Sequence, residues 1–315
     1  MNILITGGFG YLGGRIAQSL YSQGHDIILG SRKIRSSPEW LQTAKVVKIK
    51  WDSLESLKEI LKDVDIVIHA AGINAQDCAS RPVEAIKFNG VATARLVKAS
   101  KDSGVTKFIY LSTAHVYNSP LIGKITEESC CTNKHPYATS HRAGEDVVRL
   151  AHKNNRIEGV VIRLSNSFGA PVNQNANCWM LLVNDICKQV VCERKIVLKS
   201  DGKQKINFIT MSDACHAIEY LTSLDASKLD DGVFNVGGKL MNIMEMALLV
   251  KKRSIAIFNY QSEITHKEIK QNILIPDFEF NTDKILSSGL VLNGDYNYEV
   301  DGLLLACKSF YGTMS

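Results

Sequence analysis

Several things are missing from this 315-residue chain, and each absence removes a class of function. No apolar run approaches the ~18 residues that span a bilayer. The first run, Ile3-Leu4-Ile5, is short and has no basic flank, so neither a membrane span nor a secretory leader is expected, and a cytoplasmic protein is. The eight cysteines include no Cys-x-x-Cys pair, and Cys130 and Cys131 are adjacent, which suits neither a zinc ribbon nor two separate bridges. Reduced, buried thiols are the simpler expectation. His115, His135 and His141 have no second histidine or carboxylate at ligand spacing on a shared helix face, so no metal is expected. The pair Ser112-Thr113 lacks the Gly-x-Ser-x-Gly elbow of a hydrolase nucleophile. Charge is also sparse: the net +5 comes from scattered pairs such as Lys251-Lys252 rather than from a basic stripe, so nucleic acid is not an expected partner. The slight positive balance suits a small anionic ligand.

What is present is an alternation of short apolar strands with helices. Strands are expected at Asn2–Thr6, Asp26–Gly30, Val46–Lys50, Val64–Ala70, Phe108–Ser112 and Val160–Leu164, and helices at Tyr11–Gln23, Leu54–Lys62, Arg81–Ser103 and Tyr137–Asn154. Val64–Ala70 is nearly all apolar, as a strand buried on both faces should be. The order predicts an α/β fold, a doubly wound parallel sheet of the Rossmann kind. Beyond Gly169 the pattern loosens. Helices are expected near Cys178–Cys192, Asp213–Leu224 and Met244–Lys252, with short strands at Ile196–Leu198, Ile206–Thr210 and Val233–Val236. The expected division is a dinucleotide-binding domain over 1–168 and a smaller C-terminal α/β substrate lobe over 169–315, with segments near 205–240 returning to the core.

The segment Thr6-Gly7-Gly8-Phe9-Gly10-Tyr11-Leu12-Gly13 joins the first strand to the first helix. Its glycines at 7, 10 and 13 suit a tight turn, a close approach of backbone to a pyrophosphate, and close packing of helix on strand. The helix N-terminus then offers free N–H groups to the anion. Gly7, Gly10, Tyr11, Leu12 and Gly13 are therefore expected to contact a dinucleotide. At the end of the second strand an NAD site would place an acid, whereas this sequence has Gly30-Ser31-Arg32-Lys33. A hydroxyl and two cations suit a 2′-phosphate. NADP is the expected cofactor, with NAD the alternative, and the competing reading of Arg32 and Lys33 is solvated loop charge. Asp52 fits an adenine contact, and the competing reading is a cap of the next helix by Asp52 or Ser53.

Taken together, Thr6–Gly13, His69-Ala70-Ala71-Gly72, Asn89, Leu111–Tyr117, Pro136-Tyr137-Ala138-Thr139-Ser140, Arg163–Gly169, Asp213 and Phe234–Gly238 resemble the extended short-chain dehydrogenase/reductases, in the branch of nucleotide-sugar epimerases, dehydratases and 4-ketoreductases. The resemblance runs in order over roughly residues 1–240. It implies hydride transfer at a carbon of a nucleotide-activated sugar, and a homodimer formed through helices that include Arg81–Ser103 and Tyr137–Asn154. It makes Tyr137 the proton-exchanging residue and Thr113 its hydroxyl partner at the substrate oxygen. It puts Ala70, Ala71, Gly72, Asn89 and Ser112 beside the cofactor, Asn89 in a mainly structural part. Ala114, His115, Asn166 and Trp179 fall on the substrate side. Asn166 reads equally as a turn residue, and Trp179 as part of an apolar helix face.

Two departures stand out. The family carries lysine four residues after its tyrosine, and here that residue is His141. An imidazole of ordinary pKa ~6.5 stabilises a phenolate less well than an ammonium. The arginine that precedes the position of Asp213 and meets the nucleotide diphosphate is replaced by Ile206, and Lys205 should face the other way along the strand. Ala114-His115 follow Thr113 where dehydratases carry Asp-Glu, which disfavours a 4,6-dehydratase. Reduction or 4-epimerisation of a nucleotide sugar is expected. The alternative is a dinucleotide-binding regulatory subunit with weak or no turnover.

Overall fold

Seven parallel strands form one sheet, in the order Val233–Val236, Glu158–Leu164, Lys107–Thr113, Ile66–His69, Asn2–Thr6, Asp26–Ser31 and Lys45–Lys48. They belong to a computed structural model that describes residues 1–267 and 277–312. The strand Asn2–Thr6 shows why the sheet is buried on both faces. Successive side chains alternate, so Ile3 and Ile5 enter one core and Leu4 the other. On the first side Ile16 and Leu20 of helix Tyr11–Ser22 pack with Ile218 and Leu221 of helix Met211–Ser223. On the second, Leu57, Leu96 and Val148 come from helices Leu54–Ile60, Thr93–Asp102 and Pro136–Lys153. Each such side chain contributes about 1.5–3 kcal/mol by leaving water.

Strand order reverses at Asn2–Thr6: the chain leaves toward Asp26–Ser31 on one side and returns at Ile66–His69 on the other. Such a reversal opens a crevice beyond the carboxyl ends of the strands, and the glycine loop lies there. The later residues divide between sheet and lobe. Val233–Val236 joins the main sheet, whereas Lys205–Thr210 pairs with Asn166–Phe168 and Lys239–Asn242 in a separate three-stranded sheet. A third core under Phe168, Ile186, Phe208, Met246 and Leu303 holds the lobe together.

Some expected elements change. The span Arg81–Ser103 is helical from Pro82 to Asp102 but not α-helical throughout. Pro82 starts a new turn, residues Ile86–Ala92 are wound as a π-helix, and Thr93–Asp102 completes the element. The wider turn carries Asn89, whose carbonyl accepts from the Thr93 hydroxyl and whose side chain reaches two other elements. The helix expected from Cys178 begins at Leu182, because Trp179 is held in a turn by its indole N–H to the Gln174 carbonyl. Pairings of distant segments were not read from sequence: Gly123–Ile125 with Phe278–Phe280, and Lys195–Leu198 with Glu263–His266. The helix Tyr296–Tyr311 was also not expected. No helix of the described residues is long and apolar enough to cross a membrane.

Candidate active site

The glycine loop is built as its spacing requires. Gly7 has φ +68°, and a Cβ on it would stand 2.9 Å from the backbone of Ala71. A Cβ on Gly13 would stand 2.3 Å from the Gly7 carbonyl oxygen, so the helix seats on the turn only through glycine. Gly10 begins helix Tyr11–Ser22 without a side-chain cap, and the first turn holds no acid. Its N–H groups therefore face the crevice with the positive end of the helix dipole, a fit for a pyrophosphate. Tyr11 and Leu12 are half-buried, and the Tyr11 hydroxyl is committed to the Gly169 carbonyl at 3.0 Å. Its backbone N–H lies in the first helical turn, where it can meet a ligand.

At the lip of the crevice Ser31 ends the second strand, and its hydroxyl accepts from the Lys33 N–H. Arg32 and Lys33 are exposed. Arg35 adds a cation that the sequence reading did not single out: its guanidinium lies over the ring of Phe9, 4.7 Å from the centroid. Of the two readings at Asp52, the helix cap is the one the structure shows, made by Ser53. Ser53 is the helix cap, accepting from the Ser56 N–H, and Asp52 is exposed and paired with Arg95 at 2.8 Å.

The candidate reaction centre forms where strand Lys107–Thr113 meets helix Pro136–Lys153. Thr113 is buried at the strand's end, and its hydroxyl accepts from the His115 N–H. Tyr137 stands on the first turn of the helix, and the Nδ1 of His135 caps its N–H. Burial pushes the Tyr137 phenol up to about 12, against the opposing pull of the Thr113 hydroxyl. Four residues on, His141 meets the Tyr137 ring edge to face, with centroids 4.6 Å apart. Its Nδ1 lies 3.0 Å from the Tyr110 hydroxyl, and its Nε2 borders Gly72 at the crevice. Burial takes His141 down to about 4, so it is neutral at neutral pH.

Behind this centre runs a buried polar chain that no motif announced. Thr6 and Thr93 flank the His69 ring at 2.6 and 2.9 Å, and the Thr6 hydroxyl accepts from the Ala71 N–H. Thr93 gives its proton to the Asn89 carbonyl, so His69 Nε2 is the donor and Nδ1 the acceptor. The Asn89 side chain accepts from the Ile73 N–H and donates to Ser140. Its amide thereby holds the helix to the end of strand Ile66–His69, in line with the mainly structural part the resemblance implies. Ala70, Ala71 and Gly72 line the same stretch.

Other expected site residues are placed differently. The Ser112 hydroxyl donates to Glu145 at 2.5 Å. Glu145 also holds Arg163 at 2.7 Å, with both side chains buried, and Arg163 extends the network to Tyr117. Trp179 packs on Phe310 and Tyr311, in keeping with its apolar reading. Ala114 is buried against Val116, Ile125 and Phe280. His115 lies beside the Asn166 side chain, and Asn166 donates to the Asn207 carbonyl, so these two share one side of the centre. Ile206 packs into the lobe core, and Lys205 pairs with Asp277 at 2.7 Å.

With this geometry in view, comparison with known proteins is direct. Residues 3–237 match the model of the NAD dependent epimerase/dehydratase family. The chain belongs to that family. A UDP-glucose 4-epimerase of Erwinia amylovora is 25% identical over 291 residues, covering 83% of this chain and 85% of that protein. One from Haemophilus influenzae is 31% identical over 183 residues, about half of each chain (54% and 54%). Among solved structures, the UDP-N-acetylglucosamine 4-epimerase of Methanobrevibacter ruminantium, in complex with UDP-N-acetylmuramic acid, superposes with a TM-score of 0.81 at 20% identity over 98% of both chains. The Thermus thermophilus UDP-glucose 4-epimerase complex with NAD gives 0.80 at 18% identity, over 98% of this chain and 99% of that one. The resemblance read from the motifs is thus a family membership, and the doubly wound fold is shared by these solved structures.

Proposed function

We propose that this family member is an NADP(H)-dependent enzyme acting on a nucleotide-activated sugar, in 4-ketoreduction or 4-epimerisation. The observation that carries the proposal is the hydrogen-bonding approach of Thr113 to Tyr137, at the carboxyl end of strand Lys107–Thr113 and the start of helix Pro136–Lys153. The nicotinamide, when bound, supplies or takes the hydride. Gly7, Gly10 and Gly13 would hold its pyrophosphate, and Ala70, Ala71 and Gly72 would let it pass close to the strand end. Thr113 orients the substrate oxygen, and Tyr137 exchanges a proton with it. The relatives named UDP-glucose 4-epimerase support the substrate class.

For the 2′-phosphate, support comes from the absence of an acid in Ser31-Arg32-Lys33 and from Arg35 nearby. The Thermus thermophilus structure, solved as a complex with NAD, keeps NAD as the alternative. We also propose a cytoplasmic homodimer, supported by the exposed Val83, Ile86, Val91 and Leu150 on the helices around the centre.

The test is binding of NADPH and NADH to the purified chain, followed by cofactor consumption with a panel of nucleotide-activated 4-keto sugars and epimer formation from nucleotide hexoses. Tighter NADPH binding with turnover is expected. Tight binding with no turnover across a broad pH range would overturn the enzyme assignment in favour of a regulatory subunit.

A further inference from the structure

The candidate centre carries an imidazole where an ammonium is usual, and a tyrosine on the neighbouring strand is bonded to it. Tyr110 is fully buried in the strand Lys107–Thr113, on the same side of the alternation as Ser112. Its hydroxyl has a single hydrogen-bond partner among the described residues, the Nδ1 of His141 at 3.0 Å. A buried phenol whose one neighbour is an imidazole nitrogen has nowhere else to send its proton. Nδ1 is therefore the acceptor, and the ring proton sits on Nε2, beside Gly72 at the crevice.

The surroundings leave His141 uncharged. From its own helix it faces Tyr137 and Glu145, from the strands Tyr110 and His69, and from the helix Ala75–Ser80 the thiol of Cys78 enters the same pocket. Glu145 is already neutralised by Arg163. His69 is held neutral between Thr6 and Thr93. None of these groups is a cation at neutral pH, so beside Tyr137 only the Thr113 hydroxyl favours a phenolate, and no positive charge does.

We infer that Tyr110 is a positioning residue: its hydroxyl fixes His141 as a neutral Nε2–H donor toward the crevice, and this leaves Tyr137 a phenol that gives a proton rather than takes one. The inference rests on the proposed function and deepens it, because it assigns the favoured direction. Reduction of a keto sugar asks the protein for one proton on the carbonyl oxygen. Tyr137 supplies it, and the resulting phenolate recovers a proton from solvent, while the hydride arrives with the cofactor. Oxidation of a hydroxyl asks for a base that this arrangement withholds at neutral pH.

The experiment uses the full, cofactor-free chain labelled with 15N-histidine, with His141 assigned by its loss in His141→Gln. Long-range 1H–15N spectra are expected to show the Nε2–H neutral tautomer at neutral pH. In Tyr110→Phe the tautomer preference is expected to weaken and the His141 midpoint to rise by at least about one pH unit toward the ordinary value. A wild-type His141 that is cationic or Nδ1–H at neutral pH overturns the inference, as does a Tyr110→Phe spectrum identical to wild type. Should Tyr110→Phe fail to fold, the wild-type tautomer alone decides. A second reading compares alkaline tyrosinate absorbance of wild type and Tyr137→Phe. Loss of a tyrosinate that forms near neutrality would overturn the inference too. Because both readings are taken without cofactor, failure to bind a dinucleotide sinks the proposed function and leaves the Tyr110–His141 pair standing. A wrong tautomer with binding intact does the reverse.

Discussion

Tyr137 and His141 lie one helical turn apart, and their rings meet edge to face at 4.6 Å with an angle of 68° between planes. The contact gives Tyr137 an aromatic neighbour but no positive charge. Replacing that neighbour with an ammonium should therefore change the phenol. In His141→Lys, tyrosinate is expected to appear at lower pH than in wild type, and moving its midpoint down by one pH unit raises the phenolate fraction near neutrality about tenfold. Oxidation of a nucleotide-sugar hydroxyl at neutral pH should rise accordingly. Unchanged or reduced oxidation, in a variant whose melting temperature is preserved, would show that His141 does more than weaken the usual lysine role.

The same histidine, with His69, makes the fold sensitive to acid. Burial lowers His141 to about 4, and burial followed by the charge of His141 lowers His69 to about 3. Both values lie below that of an unfolded histidine, so below pH ~6.5 the unfolded chain binds protons that the folded chain refuses. Stability is full above that pH and is lost as pH falls, by about 1.4 kcal/mol per pH unit for each histidine, until the folded values are reached. Urea melts at stepped pH should show this loss beginning near pH ~6.5, and His141→Gln should remove part of the slope. A stability that stays flat from neutrality down to about pH 5 would contradict it.

How far the sequence carries depends on the range of the interaction. The glycine loop and the strands around it were legible because each depends on spacing within one or two elements, whereas Thr113, Tyr137 and His141 were marked by the family resemblance. The particular partner of Asn89 and the burial of Ser112 against Glu145 were not legible, since they join positions 51 and 33 residues apart. Arg81–Ser103 reads as continuous helix because its apolar positions repeat well. The π-turn that carries Asn89 reflects hydrogen bonds to other elements, and these leave no local period. Tyr110 looked like any core residue of an apolar strand until His141 was found at its hydroxyl.

Glycine at two positions separates loop geometry from ordinary backbone strain. Gly13→Ala puts a Cβ 2.3 Å from the Gly7 carbonyl oxygen, so the turn must open and misdirect its N–H groups. Dinucleotide affinity should fall at least about tenfold, equivalent to about 1.4 kcal/mol. Gly24 has φ +83° with nothing near its missing Cβ. Gly24→Ala should cost about 1 kcal/mol of stability through its left-handed backbone and leave affinity unchanged. Titration calorimetry and thermal melts on the two variants distinguish the effects, and equal losses of affinity would refute the role given to Gly13.

Glu145 and Arg163 form a buried pair behind the centre, with Ser112 on one carboxylate oxygen and Tyr117 on the guanidinium. Removing one partner strands the other charge out of water. Glu145→Ala should therefore destabilise by about 3–5 kcal/mol, while Glu145→Met with Arg163→Met should recover much of that loss. Denaturant melts of the three proteins make the comparison. A double variant as unstable as the single one would mean that the hydrogen bonds to Ser112 and Tyr117 dominate the network.

The proposed preference for NADP rests on the cations after the second strand. Arg32 and Lys33 are exposed and Arg35 lies over Phe9 at the loop, so a 2′-phosphate there would meet charge from the chain without displacing an acid. A hydrogen bond to a charged group contributes about 1.5–3 kcal/mol. Arg32→Ala with Lys33→Ala is thus expected to weaken NADPH binding about tenfold or more, about 1.4 kcal/mol per factor of ten, and to leave NADH binding unchanged. Raising salt should weaken NADPH binding to wild type more than NADH binding, because exposed charges are screened. Equal loss of both cofactors would place these residues on a part the two share. Equal affinity in the wild type would make NAD the working cofactor, and the basic loop would then be solvated surface.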